Sequence, residues 1–464
     1  MQRKRSPAGP PHHAGMTDAI APPGQRVTEL PEALLRRMQG QGPRYLSYPT
    51  ADRFGASVDA AELERALAAR RELSDAGVCT PLSVQVRVPS AGFDGDVRGP
   101  DPRAAEYVDA LGLEVALVND QVGACRAVSD LHLGGGSPTV LPDAGLDRLM
   151  GTIRRSFFLT HDAELSIDVD PCRVQADRVR HLRRLGFNGI RLCVHDFDPD
   201  VRRAMQREQA FEQAQALMPS AREAGFASIA LELVYGLPGQ TPQGLQRTLA
   251  QAAGLRPDRI LLRAYSNRPG RSGARPHGDA APLPDDSQRC ALLGAALAVL
   301  GAQGYQYVGD DQFAPPPRDV QGCRTRPDRD QIGLGVSAIG RIGDCAYQNE
   351  DTLDGYYAAL EANRLPVARG FLLDADDRVR RDVIAALVCQ GRVDFDDILE
   401  RHGVDMRQAF VDELVRLAPL AADGLVDLHG DGIRVTASGW YVVRAIAMVF
   451  DRHLRSGARI ARVE

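Results

Sequence analysis

From about residue 80 the chain alternates between short apolar runs and longer amphipathic stretches. The runs at 82–88, 128–133, 163–169, 189–194, 228–235 and 259–264 are β-branched or rich in Leu and Ile, as strands of a parallel sheet covered by helices would be. Between them, helical periodicity marks 102–118, 143–157, 176–185, 209–224, 242–253 and 285–302. Six such units in about 220 residues predict an α/β fold, a partial (β/α)6 TIM-like barrel, although a doubly wound sheet gives the same alternation. In a barrel, chemistry collects at the C-terminal strand ends. There the sequence places Pro89 and the segments 134–138, 168–171, 195–197 and 236–238.

The flanks read differently. Residues 1–26 are rich in Pro, Gly and Ala without periodicity and predict a disordered extension, with Met16 a second potential start. Residues 27–79, with helices expected at 29–39 and 59–73, form an N-terminal segment packing on the barrel, which spans 80–345. Beyond 346 the pattern turns helical at 352–363, 376–389, 395–402, 406–417 and 437–454, with a hairpin centred on Gly430–Asp431–Gly432. Helices with one hairpin predict a small α-rich, winged-helix-like C-terminal domain over 346–464.

Composition adds exclusions. With 56 Lys and Arg against 61 Asp and Glu, the net charge of −5 gives no bulk-charge case for nucleic-acid binding. No apolar run approaches the ~18–20 residues of a membrane span, and no apolar h-region follows the basic N-terminus, so no membrane association and a cytoplasmic location are expected. Lys4 is the only lysine, which excludes both P-loop and pyridoxal Schiff-base chemistry from the barrel. No two of the eight cysteines lie within five residues of each other, so they read as scattered thiols rather than a disulfide frame or local metal site.

Several phrases then occur in fixed order: PRYLSYPT (43–50), LHLGGGSPT (131–139), LSIDVDP (165–171), LGFNGIRLCVHDFD (185–198), QREQ (206–209), YGLPGQT (235–241), GYQYVGDDQFA (304–314), GLGVSAIGRIGDC (333–345) and LAPLAADGLVD (417–427). Together they resemble the oxygen-independent coproporphyrinogen III oxidase family of the radical SAM superfamily, over residues 43 to 455. The resemblance implies a partial barrel with a small C-terminal domain. It also implies coproporphyrinogen dehydrogenase activity in haem biosynthesis, the oxidative decarboxylation of coproporphyrinogen III to protoporphyrinogen IX. The family's cofactors are a [4Fe–4S] cluster on three thiolates after the first strand and S-adenosylmethionine.

The chain departs from that pattern where the cluster should bind. The three cysteine positions align with Ala91, Gly95 and Arg98, and no cysteine lies between Cys79 and Cys125. The cluster is therefore expected to be absent, and S-adenosylmethionine binding is left open. Equivalents of its site are Gln85, Gly135, Gly136, Ser137, Asp168, His195, Arg207, Glu232, Ser266 and Ile339. Of these, Asp168 stands where the family has Glu, a carboxylate withdrawn by ~1.5 Å. Arg87 stands where it has His, while Arg207 and the glycines match. Arg207, Arg263 and Arg268 also suit propionates. Asp94, Asp96 and Gly99 loosely resemble a calcium loop, but its final acid position is Ala105. Three readings stay open: a catalytically silent paralogue that binds tetrapyrrole, an active enzyme with an unusual or borrowed cluster, and a scaffold pairing with an active homologue.

Overall fold

The computed structural model describes residues 43, 45, 47–89, 102–205, 211–265, 282–316 and 329–454. All six expected strands form: β1 (Leu82–Arg87), β2 (Ala127–Gly134), β3 (Phe158–Val169), β4 (Gly189–His195), β5 (Ser228–Tyr235) and β6 (Arg259–Ala264). They pair in parallel in sequence order. Helices Pro102–Val122, Asp143–Ser156, Ala176–Arg184, Phe211–Ala224, Pro242–Gly254 and Asp286–Ala302 follow them in turn, with a short helix, Pro199–Ala204, after β4. The helix expected at 29–39 lies outside the described residues.

The sheet is wider than the six-strand expectation. A hairpin of β7 (Gln306–Gly309) and β8 (Gln312–Ala314) adds antiparallel to β6. On the other side β9 (Gln331–Leu334) pairs parallel to β1, followed by β10 (Ile339–Ile342), β11 (Cys345–Asn349) and β12 (Val367–Leu372). The twelve-stranded order, β12-β11-β10-β9-β1-β2-β3-β4-β5-β6-β8-β7, ends on two different edges and is an open sheet, not a closed ring. The sheet runs to Leu372, past residue 345. These extra strands have only three to six residues, too short for periodicity to announce them.

Strand alternation sorts the two faces of the sheet. Leu165 and Ile167 of β3, Ile190 and Leu192 of β4, and Ile229, Leu231 and Leu233 of β5 are buried in the main core beneath the helices. Their neighbours Ser166, Asp168, Arg191 and Glu232 point to the opposite, inner face. The buried Glu114, on the helix after β1, secures the turn after β9. It accepts hydrogen bonds from the Gly335 backbone N–H (2.7 Å), Asn349 Nδ2 (2.6 Å) and the Tyr356 hydroxyl (2.6 Å).

The C-terminal region has its own core around Leu387, Phe410, Trp440 and Phe450, and its own sheet of β13 (Arg392–Asp394), β14 (Val426–His429) and β15 (Gly432–Val435), ordered β13-β15-β14. The single helix expected at 406–417 is broken into Met406–Ala409 and Val411–Ala422. Phe410 leaves helical geometry at the junction (φ −118°, ψ 34°) and buries its ring against Phe450. The expected helix at 437–454 contracts to a 3-10 turn, Gly439–Val442, and one short helix, Val443–Met448. Of the segment expected to pack on the barrel, Val58, Leu63 and Leu67 are buried in the main core, while Tyr45 and Tyr48 enter the C-terminal core, where the Tyr45 hydroxyl donates to Asp451.

The cysteine expectation needs correcting. Cys79 and Cys125 form a disulfide with 5.6 Å between their Cα atoms, and Cys389 is also disulfide-bonded. Cys79 precedes β1 and Cys125 precedes β2, two adjacent parallel strands. Tertiary pairing therefore joins thiols 46 positions apart, which local spacing could not reveal.

Candidate functional site

Parallel register brings Gly134 of β2 beside Arg87 of β1, and Asp168 of β3 beside Arg191 of β4. The Arg191 guanidinium is bidentate on the Asp168 carboxylate, Nε to Oδ1 at 2.6 Å and Nη2 to Oδ2 at 2.7 Å. His132 completes the cluster, its Nε2 lying 3.0 Å from Arg191 Nη2 and its Nδ1 2.9 Å from Ser166 Oγ. The same Nε2 lies 3.5 Å from Asp168 Oδ1, so His132 stands against both members of the ion pair. Both ends of the ion pair are almost wholly buried, with side-chain exposures of 13% for Arg191 and 8% for Asp168. Burial, the largest single influence, would raise the Asp168 carboxyl, but Arg191 and His132 together outweigh it and hold the group well below the ordinary carboxylate range.

The glycine-rich turn after β2 is packed onto the same cluster. A Cβ on Gly134 would lie 2.5 Å from His132 Nε2 and 2.7 Å from Asp168 Oδ2. One on Gly135, whose φ is +84°, would lie 2.3 Å from Cγ of Arg87. The missing side chains thus admit the chain's own polar groups to close backbone contact.

From Arg191 the charges continue along the inner face. Glu232 of β5 lies 3.6 Å from Arg191 and 3.8 Å from Arg263 of β6. Arg263 Nη1 in turn lies 3.7 Å from Asp310 and 3.8 Å from Asp311. These two aspartates form the tip of the β7–β8 hairpin with φ of 47° and 58°, the left-handed pair that a tight hairpin turn uses. Asp311 then accepts from Arg444 on the C-terminal helix Val443–Met448. A cavity of about 20 Å³ opens beside this row, lined by Gly189, Arg191, Arg259, Arg263, Asp310 and Gln312. It suits a water-sized group, not a macrocycle.

Of the residues singled out in the sequence, Asp168 and Glu232 join this row, and Gly135 lies against the stem of Arg87. Gln85 sits on β1 in register with His132. Gly136 and Ser137 continue the turn, where the Ser137 hydroxyl pairs with Thr139. His195 ends β4 in a left-handed conformation (φ 68°). Ile339 begins β10 and packs beside Ala51, Phe54, Ala346 and Leu373, away from the ion pair. Arg207, Ser266, Arg268 and the loop with Ala91, Gly95 and Arg98 lie outside the described residues. Sequence reasoning missed Arg191 and His132. Strand phase could have found both, since each shares a face with Asp168 in an alternating strand.

Comparisons with known proteins assign this open, mostly parallel sheet under helices to the radical SAM class. Residues 112–252 match the Radical SAM superfamily, and residues 373–442 match the HemN C-terminal domain. The chain is 39% identical over 448 residues to the oxygen-independent coproporphyrinogen III oxidase of Escherichia coli, covering 92% of this chain and 96% of that protein. It is 36% identical over 445 residues to the enzyme of the same name from Pseudomonas aeruginosa, covering 91% and 96%. The solved structure of coproporphyrinogen III oxidase (HemN) from Escherichia coli superimposes with a TM-score of 0.81 at 37% identity, over 93% of this chain and 100% of that one. The chain belongs to the oxygen-independent coproporphyrinogen III oxidase family.

The donor set does not fit a cluster held on three thiolates. The two cysteines flanking the loop after β1 in sequence, Cys79 and Cys125, are bonded to each other. Burial raises the Cys345 thiol to about 12, and Cys172 donates to Gln213 Oε1. Among the described residues, no group of three or more His, Cys, Asp or Glu side chains could hold a metal ion. Nor is any helix among them long and apolar enough to cross a membrane.

Proposed function

We propose that this chain is a catalytically silent, cytoplasmic member of its family that binds a carboxylate-bearing tetrapyrrole without decarboxylating it. The observation carrying this reading is the missing thiolate set. Positions 91, 95 and 98 are Ala, Gly and Arg, and the flanking cysteines are joined in a disulfide. Without three soft anionic ligands, a [4Fe–4S] cluster has nothing to hold it, and no electron can be delivered to start radical chemistry.

Retention of the ligand is supported by likeness along the whole chain to proteins named for coproporphyrinogen III. The macrocycle would sit over the C-terminal strand ends, where a fold of this kind collects its ligands.

Anaerobic reconstitution with iron and sulfide, followed by absorption and EPR spectroscopy, tests the first half. A coproporphyrin fluorescence titration tests the second. No cluster signal and saturable coproporphyrin binding are expected. A cluster signal that shifts with S-adenosylmethionine would overturn the silence. Failure to bind any tetrapyrrole would overturn the ligand and leave a scaffold beside an active homologue.

A further inference from the structure

We infer that Arg191 is a built-in plug: it occupies the carboxylate at Asp168 that the family resemblance assigns to S-adenosylmethionine, so this chain does not take that cofactor there. The fold family implies the cofactor, but the side chains already in place do not fit it.

Asp168 offers two oxygens, and Arg191 takes both, at 2.6 and 2.7 Å. A bidentate guanidinium–carboxylate pair is among the strong charge-assisted pairings, and it uses a lone pair on each oxygen and neutralises the charge that a ligand's ammonium group would seek. Glu232 lies 3.6 Å from Arg191 Nε, the nitrogen that also bonds Asp168, and His132 Nε2 lies 3.0 Å from Nη2. Three groups on three strands therefore fix the plug.

The turn is filled in the same manner. The Cβ side of Gly134 is taken by His132 and Asp168, and that of Gly135 by the stem of Arg87. Arg87 and Asp168 are two of the positions where the sequence departs from its family, so the departures and the packing coincide.

The test uses the full-length protein and two probes. Equilibrium dialysis against radiolabelled S-adenosylmethionine, up to about 1 mM, should give no saturable binding. Dialysis in which the wild-type protein binds one equivalent with a Kd below about 0.1 mM overturns the inference, whatever the variants do. Arg191→Ala should leave Asp168 buried beside a guanidinium-shaped space. Methylguanidinium should then raise the Tm of that variant and leave the wild type unchanged; a folded variant that shows no such rescue also overturns the plug. A protein free of iron that binds S-adenosylmethionine would defeat this inference while leaving the proposed silence intact, so the two can fail separately.

Discussion

Arg191 and Asp168 face each other across a single register step between adjacent parallel strands, joined by two hydrogen bonds of 2.6 and 2.7 Å. Neither group can lose the other cheaply, because both are buried. Arg191→Ala should destabilise the fold by about 3–5 kcal/mol, measured by urea unfolding at pH 7, since it strands a buried carboxylate. The low Asp168 pKa sets the sign with pH: its stabilisation is present above the unfolded carboxyl value and is lost as pH falls through the folded one. The wild type's advantage over Asp168→Asn should therefore be full at neutral pH and shrink only in strong acid.

Gly135 makes a second, independent demand. Its φ of +84° is left-handed, and a Cβ there would meet the Arg87 stem at 2.3 Å. Gly135→Ala should cost about 1–3 kcal/mol through backbone strain and overpacking, read as a lower urea midpoint at unchanged slope. Gly77 also has positive φ (+88°), but a Cβ there would meet no atom within 4 Å, so Gly77→Ala should cost less.

Glu114 carries the opposite pH dependence. Burial raises its carboxyl to about 7, against the hydrogen bonds from Tyr356, Gly335 and Asn349 that favour the anion. A raised acid pKa means the folded state holds its proton more tightly than the unfolded chain. The associated stability is full below the unfolded value and is lost as pH rises toward 7. Relative to Glu114→Gln, the wild type should therefore lose up to about 3 kcal/mol between pH 4.5 and pH 7. Paired denaturation curves at several pH values check both sign and size.

The contact between Asp311 and Arg444 joins the β7–β8 hairpin to the C-terminal helix Val443–Met448. A double-mutant cycle with Asp311→Asn and Arg444→Gln should return a coupling of about 1–3 kcal/mol. Each single variant should also speed proteolysis within the C-terminal region. Additive effects would show that this ion pair does not couple the two parts, leaving contacts such as Arg378 with Asp344 and the apolar packing to join them.

The six parallel strands were legible because their aliphatic runs are long and regularly spaced; their limits in the structure differ by only a few residues. Strands β7 to β12 were not, since three to six residues cannot show a period and their pairing is set by distant partners. The helix break at Phe410 escaped for a similar reason. Burial of that ring against Phe450 overrides a local pattern that reads as continuous helix. At the site, resemblance drew attention to Asp168 and Glu232, yet Arg191 went unnoticed in a chain where nearly every cation is arginine. Only register between β3 and β4 shows that this particular arginine ends on a carboxylate. The disulfide of Cys79 and Cys125 was hidden in the same way, by a sequence separation of 46 residues.

The central claim is that iron finds no thiolate triad in this chain. Its most direct test is the iron and acid-labile sulfide content of protein purified under strict anaerobiosis from cells supplied with both elements. The account expects far less than one iron per chain and no matching sulfide. Four irons and four sulfides per chain would contradict it.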